Sequence, residues 1–124
     1  MTEMGIGTIK NILEDKLGKK VVLGYPAELS GDTVALRYRD LALNVSTPNQ
    51  YDLFPDIELE FAVDDPLTLV DTVKLFVQTI ENEIHDSTEE SRGSFKFMSS
   101  SLSTTGTKSN VILVMTHNVV IQVD

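Results

Sequence analysis

The sequence predicts an α+β fold: a mostly antiparallel sheet with two helices packed on one face, in a single domain over residues 1–124. Three observations carry this. Ile57, Leu59, Phe61 and Val63 alternate with Glu58, Glu60 and Ala62, the period of a strand with one buried face. That strand runs into a helix: Asp64 and Asp65 offer an N-cap, and Pro66 suits a first turn where no N–H is needed. Leu69, Val70, Val73, Phe76, Val77, Ile80 and Ile84 then form one apolar stripe. Third, the stretch Val111 to Val123 is apolar on both faces, as a strand covered on both sides should be. The strand face and the helix stripe each need a cover, and the simplest cover is each other.

The elements follow in order. Ile6, Ile9, Ile12, Leu13 and Leu17 have helical spacing; Gly18 is a natural stop, and Lys16, Lys19 and Lys20 sit where the helix dipole favours cations. Val21-Val22-Leu23 reads as a short buried strand ended by Gly24-Tyr25-Pro26. Ser30-Gly31-Asp32 is a turn signal, and Thr33 to Arg39 and Leu41 to Val45 read as two short strands. Pro48-Asn49-Gln50 reads as loop, leading through residues 52–56 to the central strand. The second helix is expected from Pro66 to about His85, and Asp86 to Gly93 as a polar link. Phe95-Lys96-Phe97-Met98 is a strand candidate. Ser99 to Asn110 is rich in Ser, Thr and Gly, and is expected to be a mobile hairpin loop, either an entropic connector or a functional one. Val111 to Val123 closes the sheet as one long strand.

Composition bounds the function. At 124 residues with 41% hydrophobic residues the chain can bury one core of its own. No apolar run approaches the ~20 residues of a membrane span, and the N-terminal residues lack the order of a signal peptide, so a cytosolic origin is expected. There is no cysteine, which removes disulfides, thiolate chemistry and cysteine zinc sites. The net charge of −9 is unevenly placed. From Asp52 to Glu90 there are twelve acids and one base, Lys74. Asp56, Glu58, Glu60, Glu81, Glu83, Glu89 and Glu90 are the expected acidic surface. Such a surface repels nucleic acid; it is either a solvated face or one that must not stick to DNA passing close by.

Two helices cover one sheet face, and no third helix exists for the other. Ile112, Val114 and Val120 therefore need another shield: a second copy of the chain, or curling of the sheet on itself.

Signals for chemistry are weak. Asp56, Glu58 and Glu60 fall on one strand face, which suits either a hard cation or plain solvent. His85 and His117 belong to no metal spacing. Glu14-Asp15-Lys16 has the spacing of a nuclease Glu-x-Lys but lies in the first helix. No phosphate loop or nucleophile elbow is present. The expectation is no enzyme, no cofactor and no metal; a small ligand-binding or enzymatic α+β domain, or a bland acidic interaction domain, remains the alternative.

Taken end to end, the chain resembles the head-to-tail joining proteins of long-tailed bacteriophages, in particular the tail terminators. The matching stretches are Ile6 to Leu17, Val21 to Pro26, Ile57 to Ile84 and Phe95 to Val123; Thr33 to Val45 fits least well. The resemblance implies a homo-oligomeric ring, usually a hexamer, that sits on the tail tube, stops its growth and offers a surface to the head connector. DNA passes through such a ring without specific binding. It also implies a virion protein assembled in the host bacterial cytoplasm, with another neck protein as the nearest alternative. Leu102, Thr105 and Lys108, in the expected loop, join Ile112, Val114 and Val120 as the expected contacts with a neighbouring subunit or the tail tube.

Overall fold

The computed structural model describes residues 5–87 and 95–123, without the side chains of 85–87. Its order is α1 (Ile6–Leu17), β1 (Lys20–Leu23), β2 (Thr33–Thr47), β3 (Gln50–Val63), α2 (Leu69–Ser87), β4 (Lys96–Thr105), β5 (Lys108–Thr116) and β6 (Val119–Gln122). The strands form one sheet in the order β1-β2-β3-β5-β4, with β6 also on β3. All pairings are antiparallel except β1 with β2. The fold is the expected α+β arrangement.

Both helices lie on one sheet face. Ile9 and Leu13 of α1 and Phe76, Ile80 and Ile84 of α2 meet Val34, Leu36, Ile57, Leu59, Phe61, Val111, Leu113 and Met115 in one buried cluster. Phe61 and Phe76 stack with ring centroids 4.1 Å apart. Strand and helix thus cover each other as the periodicity requires. The caps are also as read. Asp65 accepts a hydrogen bond from the Leu67 N–H, with Pro66 opening a short 3₁₀ turn before α2. Gly18 ends α1 in the left-handed region at φ +61°, where other residues are strained.

The structure corrects three elements. First, the two short strands over residues 33–45 are one strand, β2, kinked by an extra residue between Tyr38 and Asp40. Pro48 and Asn49 form the tight turn that returns the chain as β3, which begins at Gln50. The bulge hid the continuity, because the apolar alternation changes phase there. Second, residues 99–110 are no loop. They are most of β4, a two-residue turn at Gly106 and Thr107, and the start of β5. Gly106 takes φ +64°, the conformation a primed hairpin turn needs at its first central residue. Third, the long last strand is broken at His117 and Asn118. The register on β3 is the same on either side of the break, with Thr116 opposite Asp56 and Val119 opposite Leu53. Pro55 lies opposite the gap and has no N–H to give a ladder.

Candidate interaction surface

Beyond the helices, the sheet continues as an arm. β2 from residue 40, β3 up to residue 56 and all of β6 extend past the core, and residues 38–49 are exposed throughout. From Ile57 to the turn the arm reaches roughly 25 Å. Cross-strand partners share a face, so the register assigns every side chain. Leu41, Leu43, Val45, Tyr51, Leu53, Pro55, Val119 and Ile121 continue the face that the helices cover lower down. Here no helix covers it among the described residues: Leu41 is 60%, Leu43 57% and Val45 70% exposed. At the base of the arm, against the start of α1, Tyr38, Leu41, Leu53, Pro55 and Val119 line a hollow of about 580 Å³. The Tyr38 hydroxyl accepts a hydrogen bond from the Ile6 N–H and marks where the core ends.

A second apolar hollow lies at the opposite edge of the sheet. Leu69, Val70 and Val73 of α2 overhang Ser100, Leu102 and Val111, enclosing about 320 Å³ with Lys74 at its rim. Leu102 is 56% exposed. β4 has no strand on its outer side among the described residues.

The other sheet face differs from expectation. Val114 is only 4% exposed, so it is not an open contact residue. The connection between β1 and β2 crosses this face: Leu29 packs on Ala35 and Ala62, and the Leu29 carbonyl accepts from Lys108 Nζ at 3.0 Å. Ile112 is half-buried, and Val120, opposite Asp52 midway along the arm, is exposed. Thr105 is exposed at the hairpin end of β4. The expected trio is therefore split: Val114 is buried within the chain, Ile112 is half-buried and Val120 is open, and the chain's own crossover covers the part of this face around Ala35 and Ala62.

The expected acidic surface is also revised. Glu58 and Glu60 accept from Arg37 at 2.9 Å each, and Arg37 is 6% exposed with the Tyr25 ring 4.2 Å from its guanidinium carbon. Burial works against the charge on Arg37, but its hydrogen bonds to Glu58 and Glu60 outweigh that and hold its pKa above the ordinary value. A guanidinium thus stands where a cation would have to sit between these two carboxylates. Among the described residues no three His, Asp or Glu side chains converge as a metal site would require. Glu83 pairs with Lys16 at 3.1 Å, and Glu81 is half-buried on α2. Glu89 and Glu90 lie outside the described residues, as does the His85 side chain. Asp56 instead joins Asp40, directly opposite it, and Asp52 on the outward face of the arm. His117 is buried on the helix side of the sheet.

The arm was legible in part. Leu41 to Val45 reads as a strand, but Pro48-Asn49-Gln50 reads as loop and residues 52–56 as an approach, because Pro-Asn lacks the glycine of the usual two-residue hairpin turns. The structure leaves the apolar face of that strand open. No protein-family model matches the chain, and no curated protein matches it.

Proposed function

We propose that this chain is a structural protein that works as a homo-oligomeric ring, a tail terminator of a long-tailed bacteriophage that caps the tail tube and receives the head connector. The observation that carries the assembly part is the arm. A domain that closes its core leaves an apolar sheet face on which Leu41, Leu43, Val45 and Ile121 are exposed and Tyr51, Leu53 and Val119 half-buried, and each exposed large side chain gains up to ~1.5–3 kcal/mol on full burial. Contiguous exposed apolar surface of this kind marks a contact with another protein. The element order and the resemblance it carries supply the terminator identity. The outward face of the arm, with Asp40, Asp52 and Asp56, suits a passage that DNA crosses without sticking.

The test is to add the protein to growing tail tubes and measure tube length by electron microscopy, with and without a Leu43→Asp change. The unmodified chain is expected to sit on tube ends and fix tube length, and Leu43→Asp to lose both effects. Tubes that grow as long with the unmodified chain as without it would overturn the terminator reading.

A further inference from the structure

We propose that the ring is held by one continuous sheet, in which β2 of each copy pairs antiparallel with β4 of the next and Leu43 lies opposite Leu102. This deepens the ring reading and rests on it for closure of the ring.

The two edges concerned are unusually unguarded. Natural sheet edges are blunted by charge, proline or bulges. Leu41–Thr47 on β2 and Ser99–Thr105 on β4 each contain no charge and no proline, and the bulges of both strands lie outside these stretches, apart from the irregularity beside the β2 turn. In a chain of net charge −9, two charge-free stretches of equal length are where identical copies can approach without repulsion.

Shape then selects which edges meet. β2 presents Leu41, Leu43 and Val45 as projections on the helix side. β4 carries Ser100 and Leu102 on the helix side beneath the overhang of Leu69, Val70 and Val73, and is hollow there. Joining β2 to β2 would leave the hollow empty, and joining β4 to β4 would set two hollows against each other with only the two Leu102 side chains between them. Joining β2 to β4 seats Leu43 and Val45 in the hollow. The contact is between different surfaces, so it is heterologous and closes by rotation. A rotation that keeps the helix side common to both copies preserves strand direction. Within one chain β2 and β4 run in opposite senses, so the new pair is antiparallel.

Side-chain faces fix the register. Leu43 opposite Leu102 puts Leu41 opposite Thr104 and Val45 opposite Ser100, all on the helix side. On the other face it brings Asp40 of one copy opposite Thr105 of the next, with Lys108 one strand further in, so the nearest charge to this acid across the joint, about 10 Å away, is a base.

The absence of cysteine makes the test direct. Leu43→Cys and Leu102→Cys are made singly and together, each at an exposed position, and thermal melting checks the fold of each. The proteins, at millimolar concentration, are treated with a short bis-maleimide, with Val45→Cys and Ser100→Cys as a second pair. The expected result is a covalent dimer from the mixture of the two single variants, none from either alone, and a ladder of multimers from the double variant. Dimers from Leu43→Cys alone would reveal a two-fold contact and overturn the proposal. So would failure of both pairs to cross-link in chains that melt like the parent. Tubes capped without any cross-link leave the terminator reading standing and remove this joint; a ladder from a protein that leaves tube length unchanged does the reverse.

Discussion

Arg37 shows how much one side chain decides. Sequence presents it as one of three charges, with Arg39 and Asp40, in a strand, and Glu58 and Glu60 as carboxylates suited to a hard cation or to solvent. The pairing of β2 with β3 brings the three together on a face that the crossover closes. That grouping is invisible before the register is known, because a cross-strand partner is set by turn position and bulges, not by spacing along the chain. Arg37→Met should leave two neighbouring carboxylates facing a shielded surface with no counter-charge. Removing one partner of a buried ion pair costs about 3–5 kcal/mol; the carboxylates keep some solvent, so the low end is expected, about 3 kcal/mol by urea midpoint. Adding Glu58→Gln and Glu60→Gln to the same chain should restore much of it. A loss under about 0.5 kcal/mol for Arg37→Met alone would show that Tyr25 and the crossover hold this face without the ion pairs.

Among the elements, α1, α2 and the central strand were legible because each combines a strong period with a stop or cap: Gly18, Asp65 with Pro66, and the Ile57-to-Val63 alternation. β4 was not. An edge strand needs apolar residues only where something packs on it, and on β4 that leaves Phe97 and Leu102 among serines and threonines. Such a composition reads as loop although Thr is a good strand former. Hydrogen exchange separates the two readings. In an antiparallel edge strand alternate amides point at the neighbouring strand. Alternate amides of Ser99 to Thr105 should therefore exchange slowly in the isolated protein and their neighbours quickly. Uniformly fast exchange would restore the loop. On α2, Phe76→Ala should cost about 3–5 kcal/mol, since Phe76 is fully buried against Phe61. Half-buried Val73 should lose only about 1 kcal/mol on truncation, close to the transfer value of its missing methyls.

At the scale of the whole molecule, the domain separates what keeps it folded from what is left open. The core ends near Tyr38, Ile57 and Met115, and the arm beyond it adds sheet without adding cover. The sequence showed that apolar surface was in excess; Val120 and Leu102 are open as expected, whereas Val114 is buried and the larger exposed set, Leu41, Leu43 and Val45, lies outside the expected contacts. Exposed substitutions away from special features shift stability by about 0.5 kcal/mol or less. Leu41→Thr, Leu43→Thr and Val45→Thr should accordingly melt within a degree or two of the parent while weakening association in light scattering. A large drop in melting temperature would mean that the arm supports the core after all. The short turn at Pro48 and Asn49 has a consequence in time as well as in space. β2 and β3 are neighbours along the chain, whereas β3 meets β5 and β6 only after α2 and β4 have been made. A hairpin of this kind forms in roughly 1–10 μs, far faster than a ribosome adds one residue. During synthesis the arm hairpin is therefore present while β5 and β6, the strands that flank β3, are still missing. The arm hairpin is thus open along its β3 edge from the moment it folds until β6 is made.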